Sequence, residues 1–203
     1  LQMVLVPFFL FIGSNNTRFR FKIVVMVAAA FLFVAIALVV ALQIPQISDL
    51  FFERAKLVQD YDGARLGRFA RYWLGLQMAM EHPLGIGPLE FGPIYGEDTH
   101  DIWLKALLDY SWLGFIAWVT LTFLTIGIGF KYLFRNRPWQ PFLVCAYSVY
   151  LAHVVIGNII DIDHWRHLYM VIGIIWGCAG LEWKHGVANA RRQMTPAMAA
   201  TNL

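Results

Sequence analysis

Charged side chains are absent from residues 23–44 and from residues 113–130, two uninterrupted apolar runs. A hydrocarbon layer about 30 Å thick takes roughly 20 apolar residues in helical form, so both runs predict membrane-spanning helices. A third run, 141–160, has only His153 and Asn158 as strongly polar side chains, and a shorter fourth, 168–181, carries no charge. These predict two further spans. Residues 3–13 are apolar but too short to span, so the chain is expected to open inside a helix.

Between the first two spans the pattern changes. Over residues 63–81, Phe69, Tyr72, Trp73, Leu76 and Met80 recur at three- and four-residue spacing, which predicts a helix lying along a membrane surface. His82 and Pro83 end it. Gly85, Gly87, Pro88, Gly92, Pro93 and Gly96 then make a turn-rich stretch, because glycine allows positive φ and proline forbids continued helix. Thr99 is the expected N-cap of a short helix over 101–110, which leads through Trp112 into the next span. Trp73, Trp103 and Trp112 suit the headgroup level.

Composition supports the membrane reading: 59% of residues are hydrophobic, 14% are charged and mean hydropathy is +0.58. The net charge of +3 does not point to nucleic acid, because the basic residues flank the apolar runs. Arg18, Arg20 and Lys22 precede the first full span, Lys131, Arg135 and Arg137 separate the next two, and Lys184, Arg191 and Arg192 follow the last. By the positive-inside rule these segments are cytoplasmic, which puts 45–112 and 161–167 on the opposite, periplasmic side. The expected organisation is all-α and polytopic: transmembrane helices in 1–44, a long periplasmic loop with short amphipathic helices in 45–112, three transmembrane helices in 113–183 and a mobile cytoplasmic tail in 184–203. The opening residues lack an initiator Met and the charged n-region and small-residue cleavage site of a signal peptide, so the chain is expected to be truncated upstream. Cys145 and Cys178 fall within apolar runs and read as packing residues.

The chemistry-bearing residues lie in the loops. Arg65, Arg68 and Arg71 recur every three residues and form one ridge on a helix. Two readings stand for it: attraction to anionic lipid headgroups, or recognition of a substrate phosphate by the planar guanidinium fork. His100, between Thr99 and Asp101 with Asp98 nearby, reads either as a structural histidine or as a base that takes a proton from a sugar hydroxyl. The short loop Asp161, Asp163, His164, Arg166 and His167 reads as an interfacial polar turn, and no firm metal-ligand spacing is present. His153 and Asn158 are expected to bond to neighbouring helices.

Gly67-Arg68, then Tyr72-Trp73, then His82-Pro83-Leu84-Gly85-Ile86-Gly87-Pro88 with Phe91, then Thr99-His100-Asp101 and Asp109 ahead of Leu113-Gly114 form one ordered pattern. In order and spacing it resembles the O-antigen ligase domain, strongly over residues 65–130 and more loosely through the later hairpin. The resemblance implies a membrane glycosyltransferase of the bacterial inner membrane with its active site facing the periplasm. It implies transfer of a glycan from an undecaprenyl pyrophosphate carrier to an acceptor sugar hydroxyl, a glycan or lipid A core, in surface polysaccharide or lipopolysaccharide biosynthesis. No cofactor and no obligatory metal are implied.

On that resemblance Arg68 and His100 are the catalytic pair. Arg65, Arg71, Asp101 and Arg166 are supporting substrate contacts. The family pattern carries Asn after the histidine and Glu before the next span, where this chain has Asp101 and Asp109. Ligation of a finished polysaccharide and polymerisation of lipid-linked repeat units share the motif, and both remain open. From a different class, half of a transporter would use His153 and Asn158 to line a pathway.

Overall fold

The structure is a computed structural model that describes residues 2–14, 16–54 and 67–201, with backbone alone at 2, 3, 54, 68, 69 and 191–201. Every regular element among the described residues is a helix: α1 (Gln2–Gly13), α2 (Thr17–Ala41), α3 (Pro45–Arg54), α4 (Arg68–Glu81), α5 (Phe91–Tyr95), α6 (Ile102–Tyr132), α7 (Gln140–Ile156) and α8 (Arg166–Thr201).

Asn16 starts α2 by accepting hydrogen bonds from the backbone N–H of Arg18 and Phe19, which satisfies two of the helix's first unpaired donors. Ile23 is its one buried residue, and Phe21, Met26, Phe33 and Val40 all stand outward. A helix apolar on every side suits a hydrocarbon surround. Among the described residues two helices, α2 and α6, are long and apolar enough to cross a membrane. Four spans were expected. α7 has 17 residues, and the apolar stretch of α8 runs directly into Glu182, Lys184 and His185.

The main core lies among α1, α6, α7 and α8, where Leu133, Leu143, Tyr147, Ile162, Leu168 and Ile175 are all buried. This packing gathers the connecting segments at two ends. At one end Gly13 lies against Phe134 and Gln140, and Arg137 reaches Glu182 of α8 with Nε 3.1 Å from Oε1. At the other, Ile102 N–H donates to Gly157 O at 2.9 Å, joining the start of α6 to the turn after α7. A smaller core of Ala79, Phe91, Leu107 and Leu108 fixes α4 and α5 against α6.

The structure bears on three local expectations, and one of them, the cap of α6, has a different outcome. The surface helix is present as α4, and its predicted start at residues 63–66 lies outside the described residues. Its packed positions are Arg71, Gly75 and Ala79, one turn apart, while the larger Trp73, Leu76 and Met80 face outward. The N-cap of α6 is Asp101 instead of Thr99. His100 takes a positive φ of 50°, and the turn it makes leaves Asp101 extended with Oδ1 2.8 Å from Leu104 N. The tail expected to be mobile is helical to Thr201, so α8 runs through Gly186 and Pro196.

α6 is broken at Ser111, whose φ of 71° and ψ of 176° are not helical. The break separates a short helix over 102–110 from the apolar length beyond it, as the sequence pattern predicts. In an unbroken helix Trp112 N–H would bond Leu108 O. Here Trp112 N–H points to Pro83 O at 3.4 Å, and Leu108 O accepts from Ile86 N–H at 2.7 Å. The His82–Pro88 stretch is thus docked on the break by exchanging backbone partners with it. Gly85 makes this possible: its φ is +81°, and a Cβ there would lie 2.8 Å from Leu108 O and 3.0 Å from Ser111 N.

Candidate functional site

Around the first turn of α6, four chain segments bring their charged groups together. Arg71, on the packed face of α4, is 6% exposed and its guanidinium forms an ion pair with Glu97. The same carboxylate holds His100, with Oε1 3.0 Å from Nε2. The other ring nitrogen, Nδ1, lies 3.3 Å from Oδ1 of Asp161, which comes from the loop after α7. Asp161 Oδ2 in turn accepts from Lys105 Nζ at 2.9 Å. Asp109, one helical turn beyond Lys105, places Oδ2 3.9 Å from the same ammonium group. Tyr110 O–H donates to Asp163 at 3.2 Å.

The environment sets how these groups ionise. Hydrogen bonds from Arg71 and His100 hold the Glu97 carboxyl below the usual glutamate range. Burial works against ionisation of Asp161, but the Lys105 ammonium outweighs it and the carboxyl stays below the ordinary aspartate value. Asp109 lies before the break in α6 and outside the 113–130 run. Its burial, with Lys105 opposing, pushes its carboxyl up to about 6. Its Oδ2 is a buried oxygen without a hydrogen-bond partner. Burial also raises Asp101, against the N–H groups of Leu104 and Trp103 that stabilise its charge.

The residues singled out in the sequence fare differently. His100 and Arg71 are brought together through Glu97. Arg68 is the first residue of α4, one turn before Arg71, and its side chain lies outside the described set, as does the whole of Arg65. Asp101 serves as the helix cap, so the carboxylates on the His100 ring are those of Glu97 and Asp161. The left-handed turn at His100 carries Asp101 to the start of the helix, away from the His100 ring. Arg166 opens α8 at the same end of the bundle, exposed and without an ion-pair partner among the described residues.

Glu97, Lys105 and the specific role of Asp161 were not singled out in the sequence. Lys105 stands one turn from Asp109 in an otherwise apolar short helix, a charge placement that periodicity alone could have flagged. Asp161, Asp163 and His164 each bring a polar atom within 4.8 Å of the others, and the cation this cluster already holds is the Lys105 ammonium on Asp161.

His153, buried in α7, and Asn158, exposed in the turn that follows it, bond to neighbouring elements, as expected. His153 Nδ1 faces Val149 O at 2.7 Å and its Nε2 faces His167 Nε2 at 2.9 Å. Asn158 accepts from Trp103 Nε1 at 3.1 Å.

The arrangement is a network of paired acidic and basic side chains at one end of an apolar helical bundle. No family model, curated protein or solved structure matches the chain.

Proposed function

We propose that this chain belongs to a polytopic inner-membrane glycosyltransferase of the O-antigen ligase type, which moves a glycan from undecaprenyl pyrophosphate to an acceptor sugar hydroxyl on the periplasmic side. The observation that carries the reading is His100. It is the histidine of the family-like pattern, it sits in a left-handed backbone conformation, and its ring lies between two carboxylates within reach of a buried arginine. A non-glycine residue held at positive φ costs about 1 kcal/mol or more, and such strain gathers at functional sites.

Two features support the topology. The basic segments assigned to the cytoplasm meet at one end of the bundle, where Arg137 pairs with Glu182, and the segments assigned to the periplasm meet at the other, around Asp161. Trp73, Leu76, Met80, Leu84 and Leu89 form an outward apolar surface beside the site, suited to the headgroup boundary.

The reaction has two physical demands. The leaving pyrophosphate gains concentrated negative charge as the anomeric carbon–oxygen bond breaks, and Arg68, backed by the other basic residues, stabilises it. The acceptor O–H loses its proton as the oxygen attacks the anomeric carbon, and His100 Nε2 receives it. The half-exposed Glu97 carboxylate now at Nε2 must swing aside for the acceptor to reach that nitrogen.

The test is a gel of lipid-linked and surface glycans from a host lacking the full-length gene, complemented with wild type, Arg68→Ala or His100→Ala. Each substitution is expected to lower transfer by about 10² or more while membrane insertion stays normal. Build-up of long lipid-linked chains identifies ligation, and build-up of single repeat units identifies polymerisation. Near-normal glycan attachment in both variants refutes the assignment.

A further inference from the structure

His100 and Lys105 share one carboxylate. Asp161 gives Oδ1 to the ring, 3.3 Å from Nδ1, and Oδ2 to Lys105 Nζ at 2.9 Å. Both members of the Lys105–Asp161 pair are sheltered: the side chain of Lys105 is 11% exposed and that of Asp161 13%. Burying a lysine and an aspartate costs solvation, and an apolar residue in place of a buried ion pair is often neutral or stabilising. Stability therefore gives a poor account of a lysine at this place. Geometry gives a better one. The backbone bond from Ile102 N–H to Gly157 O fixes the start of α6 against the loop that carries Asp161. With the register set and one oxygen held by Lys105, the carboxylate cannot rotate, and its other oxygen is presented to the imidazole.

We propose that Lys105 is a positioning residue: through Asp161 it holds the His100 ring with Nδ1–H donating to the carboxylate, so that Nε2 is the nitrogen that takes the acceptor's proton. This rests on the transfer reading above. The acceptor O–H bond breaks and its proton goes to Nε2. The freed oxygen pair forms the new bond to the anomeric carbon, and the pyrophosphate leaves with the electron pair of the broken carbon–oxygen bond.

The charged groups facing this ring are Glu97, itself paired to Arg71 of α4, and Asp161. Behind Asp161 lie Lys105 and Asp109 of α6, with Asp163 and His164 on its own loop. Lys105 is the cation nearest the carboxylates of the last two elements. Removing it leaves the ring facing a carboxylate whose nearest cation is gone.

The full-length protein in native membranes is assayed for transfer across the histidine range, about pH 5 to 8. For Lys105→Met the acid limb of the profile is expected to move up by about one pH unit and the plateau to fall by about 10-fold or more. Lys105→Arg is expected to restore the position of the limb. If Lys105→Met does not accumulate, Lys105→Gln keeps a donor for Asp161 without the charge and is expected to show the same displacement. An unmoved limb in the neutral variants, or a loss uniform across pH, overturns the inference. His100→Ala is run beside them. An inactive His100→Ala with an unmoved Lys105→Met limb refutes the role of Lys105 and leaves the transfer reading standing. An active His100→Ala refutes that reading itself.

Discussion

Replacing Gly85 with alanine tests how the turn-rich stretch is held on the broken helix. At φ +81° an alanine pays the left-handed penalty of about 1–2 kcal/mol. Its Cβ would also meet Leu108 O at 2.8 Å and Ser111 N at 3.0 Å. Both are backbone atoms, fixed by the helix they belong to, so neither can swing away. The His82–Pro88 segment must lift, and the Ile86 N–H to Leu108 O bond goes with it, a further loss of about 1 kcal/mol. Together these weaken docking by about 2–3 kcal/mol, and at 1.4 kcal/mol per tenfold the Ile86 amide should exchange about 30- to 100-fold faster. Hydrogen exchange read by mass spectrometry on peptides covering 82–90 measures this directly. Gly96→Ala is the internal control: its φ is +86° but nothing lies within 4 Å of the added carbon. It should carry the conformational cost alone and leave Ile86 protected. Unchanged exchange at Ile86 in Gly85→Ala refutes the account of the docked turn.

At the opposite end, Arg137→Met strands the Glu182 carboxylate, whose side chain is 4% exposed, and should destabilise the protein by about 3 kcal/mol in thermal unfolding; converting Glu182 to methionine as well should recover most of it. The pH dependence has two opposed parts. Glu97 and Asp161 are depressed when folded, so their contribution is present above their unfolded values of 4.5 and 3.8 and is lost as pH falls through the folded ones, which should loosen the His100 loop in acid, read by exchange of residues 91–101. Asp109 has the reverse sign. Its raised carboxyl favours folding below 3.8 and loses that advantage as pH rises through about 6, so Asp109→Asn should stabilise by up to about 3 kcal/mol at neutral pH and by almost nothing near pH 4, as a denaturation series across pH would record.

Much of this molecule is written locally. Residues 23–41 and 113–130 form long helices that are apolar on all sides, which suits burial or lipid, and the surface helix ends at His82-Pro83 because proline cannot continue it. The short helix before the second long apolar run was also legible, from the Thr99 hydroxyl followed by apolar spacing. Its cap was not, because Thr99 and Asp101 are equally good candidates in sequence. The choice fell to the left-handed turn at His100, which follows from Ile102 being tied to Gly157, 55 residues away.

The same division runs through the site. Sequence spacing picked out Arg71 and His100 as residues able to pair with anions and move protons. It could not join them, because the group that links them, Glu97, lies in a turn-rich stretch whose path is fixed only by docking on the break at Ser111. Nor could it distinguish Asp161 from its neighbour Asp163. Only the packing of α7 and α8 against α6 brings Asp161 between His100 and Lys105 and sends Asp163 to Tyr110. Helix periodicity is a property of nearest turns and is carried by the chain itself. A charge network drawn from four segments depends on which faces meet, and that is decided by burying the apolar stripes of whole helices against one another.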